Sequence, residues 1–207
     1  MDSLVSKIII TSISLLNKNG ISGFGIRAVA KEMKISTSTF YRYVRGREEL
    51  YSLICEYICQ NMEEPILSRE NSKKYITELC AGLRAELLKI RHSAAIFYET
   101  VPVTEKHMEL KEKIIKALKA YGVKNSLCFS SACILINYCL FSVRDEEFYR
   151  EIKNSKNPLF IGTSLKGIDT SKILSFYQAE LSTLDLDEHF LYGLDLLIKG
   201  FIKTGRG

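Results

Sequence analysis

Between residues 27 and 47 six basic side chains face a single acid, Glu32. Among them runs a set of short hydroxyls, Thr37, Ser38 and Thr39, followed by Tyr41, Arg42 and Tyr43. Residues of these types suit a DNA duplex. Small hydroxyl side chains at the start of a helix let it approach base edges end-first in the major groove. Bases and tyrosines around them suit phosphate contacts, which supply affinity and register. Competing chemistries find little support. The chain has no G-x-S-x-G, P-loop or G-x-G-x-x-G motif. Its histidines, His92, His107 and His189, make no metal-ligand pair at helical spacing. None of the six cysteines forms a C-x-x-C, so they read as small buried hydrophobes in a reducing cytosol. Glu146 and Glu147 are adjacent, and neighbours on a helix do not face one site. No cofactor, metal or enzymatic function is expected.

The elements that must position these residues are helical. Ile26, Val29, Ala30 and Met33 share one face of a helix over 26–33, with small Ala30 where two helices cross closely. Ile35 plugs the core from the turn 34–36. A third helix over 37–43 supplies Phe40 and Val44 as anchors and leaves the hydroxyls and tyrosines on its other faces. Before this pair, a helix over 2–18 stops at Asn19-Gly20. After it, one opens at Arg47 and ends before Pro65. Further helices are expected over 73–91, 94–98, 105–121, 125–145, 170–181 and 187–203, with a loop over 150–167. The fold class is all-α: an N-terminal three-helix helix-turn-helix DNA-binding domain, residues 1–47, and a larger helical ligand-binding and dimerisation domain, residues 48–207. Charge divides the same way. Of the formal +5, the first fifty residues carry +4 and the remaining 157 only +1. Charge runs are usually solvated faces, so only the coincidence with a helix-turn-helix gives this one weight.

Residues 126–143 lack any charge, which meets the lower length limit for a membrane span. Five of them are Ser or Asn (Ser126, Ser130, Ser131, Asn137, Ser142), and the N-terminus has no cleavage-site pattern. A helix buried on several sides in a cytoplasmic protein without a membrane partner is the expectation.

Residues 20–30, GISGFGIRAVA, then 35–44, ISTSTFYRYV, and 47–50, REEL, resemble the DNA-binding domain of TetR-family regulators. The resemblance implies that Arg27, opening the second helix, reaches bases or phosphates, that Thr37, Ser38, Thr39, Arg42 and Tyr43 belong to the recognition helix, and that Tyr41 grips a phosphate. It also implies that Arg47, opening the fourth helix, contacts the DNA backbone, helped by that helix's free amides. Two residues have a second reading: Arg27 paired with Glu32 or in solvent, and Tyr43 partly in the core. Two positions depart from the family pattern. Gly25 stands where a capping Thr is frequent, and Lys34 stands at a turn position usually held by Gly.

Residues 87–95 with 100–102, and 190–200, are similar to the central segment and last helix of tetracycline-repressor-type sensor domains. That resemblance implies a cavity in each body and a homodimer joined by a four-helix bundle. Helix 125–145 is apolar nearly all round, and the last helix spaces Phe190, Leu194, Leu197 and Phe201 helically with Gly193 and Gly200 between them. Pairing across a two-fold axis, with Ser130 and Ile134 from the first helix, solves the burial of both; two ordinary core helices are the alternative. Phe97 stands where the tetracycline repressor has a metal-binding His, which argues against a magnesium–tetracycline ligand. Phe97, Tyr98, Thr100, Asn137, Tyr138, Phe141 and Asp145 are the expected lining of a mainly apolar cavity with a few polar anchors.

Together these readings describe a ligand-responsive repressor. It binds a near-palindromic double-stranded operator as a homodimer, and a small-molecule effector of unknown identity, small and largely apolar, releases it. An activator or nucleoid-type binder on the same fold is the alternative, and a helical enzyme a remote one.

Overall fold

The computed structural model describes residues 3–66, 71–154, 175, 179, 180 and 182–204. It is built of helices, with no strand among the described residues. They are α1 (Ser3–Asn19), α2 (Ile26–Glu32), α3 (Thr37–Tyr41), α4 (Arg47–Gln60), α5 (Ser72–Leu88), α6 (Ser93–Glu99), α7 (Glu105–Tyr121), α8 (Asn125–Asn154) and α9 (Leu186–Thr204). A single 3-10 turn, Ile21–Gly23, follows α1.

The head forms as its apolar spacing dictates. Ile8, Leu15 and Leu16 of α1, Val29 and Ala30 of α2, and Phe40 and Val44 around α3 are buried together. Between α2 and α3 the chain turns through Lys34, whose φ of 55° is left-handed. That is the conformation glycine adopts at least cost, so lysine holds the usual turn at the expense of backbone strain. Gly25 precedes α2 without a side-chain cap, as its lack of a hydroxyl requires. Ser36 does cap α3: its Oγ accepts from the Thr39 amide at 3.0 Å.

Helix α4 joins head to body, packing on α1 at one side and on α5, α6 and α7 at the other. One apolar core therefore runs from Ile8 to Ile198. A boundary at 47/48 falls in the first turn of α4. A second connection is polar. Asn17, near the end of α1, donates to the Lys89 carbonyl at 3.1 Å and accepts from the Arg91 amide at 2.8 Å. The next amide, of His92, donates to Glu147 of α8 at 2.8 Å. Gly20 (φ 65°) lies against this turn, and a Cβ there would meet His92 Nε2 at 3.1 Å.

In the body, α5, α7 and α8 pack on one another around Ile76, Leu83, Ile114, Leu118, Leu135 and Val143. Helix α9 is fastened by buried Arg84 of α5. Its guanidinium bonds Glu146 of α8 and Asp187 of α9, each at 2.5 Å, and Ser142 at 3.2 Å, and lies 5.0 Å from the centre of the Phe190 ring. A buried Arg is tolerated because its charge and most of its N–H groups are matched.

Helix α8 runs to Asn154, beyond the expected end at 145. The residues after Val143 are good helix formers, and Glu146 and Arg150 pair one turn apart. The expected loop over 150–167 is thus helical through 154 and otherwise lies outside the described residues, as does most of the expected helix 170–181. By length and composition α8 is the one described helix apolar enough to cross a membrane. One face of it, carrying Cys128, Ala132, Leu135, Cys139 and Val143, is spent on the body's core.

Candidate nucleic-acid interface and effector cleft

The candidate DNA contacts fall on one surface of the head. Arg27, Thr37, Ser38, Tyr41, Arg42 and Arg47 are exposed; Thr39 and Tyr43 are half-buried. No ion pair ties Arg27 to Glu32. Tyr41 is 51% exposed and stands edge-on to buried Phe40, ring centres 6.1 Å apart. Its hydroxyl end is therefore outside while its ring is fixed from beneath. Tyr43 packs against the core, in keeping with its second reading. Ser38 and Thr39 each bond Ser36 Oγ at 2.8 Å. These hydroxyls stiffen the start of α3, leaving Thr37 and the free lone pairs of Ser38 to face outward. The recognition helix ends two residues earlier than expected, because Arg42 and Tyr43 already form the turn that leads Val44 into the core.

At α4, Gly46 provides no side-chain cap, so the first amides of the helix point outward beside Arg47. Glu49 instead reaches back to the Arg45 amide, Oε2 accepting at 2.5 Å, and squares the turn before the helix. The Arg47 guanidinium bonds the Tyr51 hydroxyl, Nε at 2.8 Å and Nη2 at 2.5 Å. Sequence reading missed Tyr51. The i,i+4 spacing of an Arg and a Tyr was the available signal.

Helix α4, the end of α6 and the α6–α7 connection border a cleft of about 770 Å³ behind Arg47. Its walls are Arg47, Glu48, Glu49, Tyr51, Ser52 and Leu53 of α4 with Glu99, Thr100, Val101, Val103 and Thr104 at the α6–α7 connection. Thr100 is the one expected pocket residue that lines it. The others scatter. Phe97 is buried against His107, ring centres 4.3 Å apart, while Tyr98 is 73% exposed. Tyr138 turns toward α9. Asp145 is half-buried near Arg144 and His189, and burial raises its carboxyl above the usual range. Asn137 and Phe141 lie on the outer face of α8. Positions 130, 134, 137, 141 and 148 form one helical stripe, and the α8 residues facing inward include Cys128, Ala132, Leu135, Cys139 and Val143. Asn137 and Phe141 therefore face away from the chain's own core.

The expected dimer residues divide similarly. Ser130 and Ile134 are exposed on that α8 stripe, beside Phe129, Phe141 and Phe148. Phe190 and Leu194 are buried in the chain's own core. Leu197, Phe201 and Gly193 are half-buried. The outer face of α9 is instead Leu191, Tyr192 and Leu196, which are 45%, 64% and 52% exposed. Gly193 does allow a close approach, but to Tyr138 of its own chain, whose hydroxyl donates to the Phe190 carbonyl at 3.1 Å.

Deep to the cleft, Glu56 of α4 accepts from the Lys106 and His107 amides at 2.9 and 3.2 Å and caps α7 from the side. Thr104, at the N-cap position, leaves its buried hydroxyl without a partner. His107 Nδ1 is likewise buried and unpartnered. Burial, aided by Lys111 and opposed by Glu56, pushes the His107 imidazole down to about 4, so it is neutral near pH 7. Burial raises Cys55 to about 12 and Cys59 further still. These are packing thiols, not nucleophiles. No His, Cys, Asp or Glu cluster suited to a metal occurs among the described residues.

Comparison with known proteins agrees with this arrangement. Residues 8–54 match the model for bacterial regulatory proteins of the tetR family, and residues 65–204 the tetracyclin repressor-like C-terminal domain. The tetracycline repressor protein class G of Vibrio anguillarum is 24% identical over 94% of this chain and 91% of its own. The class E repressor of Escherichia coli is 24% identical over 72% of this chain and 71% of its own. Among solved structures, the TetR family protein ActR of Streptomyces coelicolor in complex with actinorhodin superposes with a TM-score of 0.74 at 21% identity, covering 98% of each chain. The chain belongs to the tetR family of bacterial regulatory proteins, DNA-binding regulators of transcription and not enzymes.

Proposed function

We propose that the protein is a repressor that binds a near-palindromic operator as a homodimer and is released by a small, largely apolar effector. The observation that carries this reading is the surface shared by α2, α3 and the start of α4. Cations and hydroxyls stand exposed there on a rigid core while the rest of the chain is nearly neutral. Arg27, Tyr41, Arg42 and Arg47 supply phosphate contacts, and Thr37 and Ser38 approach base edges, with Thr39 and Tyr43 setting the helix in place. On this reading residues 1–47 read DNA and residues 48–207 pair and sense.

Pairing uses the outer faces of α8 and α9. Phe129, Ile134, Phe141, Phe148, Leu191, Tyr192 and Leu196 form an exposed apolar surface that a copy of itself would cover as a four-helix bundle. Two heads then lie on one side, about one helical turn of DNA or slightly more apart.

The effector is assigned to the cleft of about 770 Å³, where Leu53, Val101 and Val103 offer apolar contact and Thr100 and Thr104 offer polar anchors. Arg47 and Tyr51 wall the same cleft, so an occupant reaches the DNA-facing end of α4. Binding there in preference to the operator-bound conformer shifts the population toward release.

A footprint on DNA upstream of the protein's own gene, in the cytoplasm or with pure protein, tests the reading. Two protected half-sites related by a dyad are expected, with sedimentation at the mass of a dimer. Absence of protection at low salt, or a single unsymmetrical half-site, contradicts it. Reporter expression in a deletion strain separates repression from activation.

A further inference from the structure

We infer that Tyr51 is a positioning residue for DNA binding: it holds the Arg47 guanidinium in the orientation that meets a backbone phosphate. The inference rests on the proposal that Arg47 contacts DNA.

Tyr51 is only 4% exposed, although it follows an exposed turn. Its ring stacks nearly parallel to Phe24, centres 6.3 Å apart and planes 14° apart. Phe24 comes from the segment that joins the 3-10 turn to α2, so the ring is clamped between the head and α4. Burying a tyrosine hydroxyl is unfavourable unless it finds a partner. Here the partner is a single side chain, Arg47, which sits one turn earlier and donates through Nε and Nη2. The guanidinium carbon also lies 4.9 Å from the ring centre.

The donor count matters. A guanidinium has five N–H groups in a rigid plane. Two are spent on Tyr51, which leaves both on Nη1 and one on Nη2, the pair of nitrogens at the end of the fork. That edge suits bidentate binding of a phosphate. A free arginine must surrender its rotamer freedom when it binds, and this one has surrendered it on folding. The first amides of α4, uncapped by Gly46, lie at the same helix end and favour the same anion.

The role is indirect, so the test is a double-mutant cycle on the intact dimer, with a duplex that the parent protein selects from a random-sequence pool. Binding is followed by fluorescence anisotropy for parent, Tyr51→Phe, Arg47→Ala and the double variant. Tyr51→Phe keeps the ring, the stack on Phe24 and the fold, and removes only the acceptor. The expected result is that Arg47→Ala weakens binding and reduces the salt slope by about one per protomer. Tyr51→Phe is expected to weaken binding about five- to 150-fold, the range for one hydrogen bond made in each of two protomers, and to have no effect once Arg47 is alanine. If Arg47→Ala binds as the parent does, the assignment of Arg47 to DNA fails. If Arg47→Ala weakens binding but Tyr51→Phe matches the parent, or weakens it equally in both backgrounds, the positioning role alone is overturned.

Discussion

Replacing Gly193 by alanine sets two effects of opposite sign against each other. Glycine in a helix interior costs about 1 kcal/mol relative to alanine, so on propensity alone the variant is more stable. Packing says the reverse. A Cβ at Gly193 would lie 2.1 Å from the Tyr138 hydroxyl oxygen, 2.8 Å from Cζ and 3.3 Å from Cε2. The first two distances are far inside van der Waals contact, so the ring must leave. With it go the hydrogen bond to the Phe190 carbonyl and the stack on Phe190, whose ring centre is 5.4 Å away at 10°. Those losses are each about 1 kcal/mol, and overpacking adds about 1–3 kcal/mol. After the propensity gain, a net loss of about 2–4 kcal/mol is expected by the same estimates. Urea unfolding followed by circular dichroism reads it, at one protein concentration because dimerisation is linked to stability. Tyr138→Leu should remove most of the penalty, so the double variant is more stable than the sum of the single effects. A Gly193→Ala protein that is about 1 kcal/mol more stable than the parent, the propensity value, refutes the close approach of α8 and α9.

Three further outcomes follow from separate parts of the molecule. The His107 value of about 4 lies below the ordinary 6.5 of an unfolded histidine. The unfolded chain therefore binds a proton that the folded chain refuses, and stability falls as pH drops from about 6.5 to 4, by at most about 3 kcal/mol. His107→Phe should lose that part of the pH slope while keeping the part due to carboxylates; an unchanged slope rejects the burial argument. Lys34→Gly should raise stability by up to about 1 kcal/mol by removing the left-handed lysine, with operator affinity unchanged; a destabilised variant would mean the turn takes another shape. Phe141→Glu, on the outer stripe of α8, should sediment as a folded monomer, and a dimer as tight as the parent's places the interface elsewhere.

Helical spacing located the head residue by residue, because Ile26, Val29, Ala30, Ile35, Phe40 and Val44 have one role each and no other element competes for them. The elements of the body were legible for the same reason. Faces were not. Helix α8 is apolar on nearly every side, so periodicity could not say which stripe faces the core and which a partner. Phe190 went to the core because Tyr138 and Arg84 cover it, and that depends on contacts 52 and 106 residues distant in sequence. The effector residues carried over by resemblance scattered for a related cause. Asn137 and Phe141 obey the stripe of α8, whichever cavity the body has. Lys34 was visible as a departure, and its left-handed backbone shows that the turn keeps its form without the glycine. The i,i+4 spacing of Arg47 and Tyr51 was visible, but the burial of Tyr51 and its stack on Phe24 needed the fold.

The most direct test of the account is the affinity of Arg27→Ala, Tyr41→Ala for the parent's operator, measured by anisotropy across a range of salt concentrations. Two lost contacts per head, doubled in the dimer, should weaken binding by on the order of 100-fold or more and flatten the salt dependence, with the variant still folded and dimeric. A folded, dimeric double variant that binds as tightly as the parent contradicts the claim that this surface reads DNA.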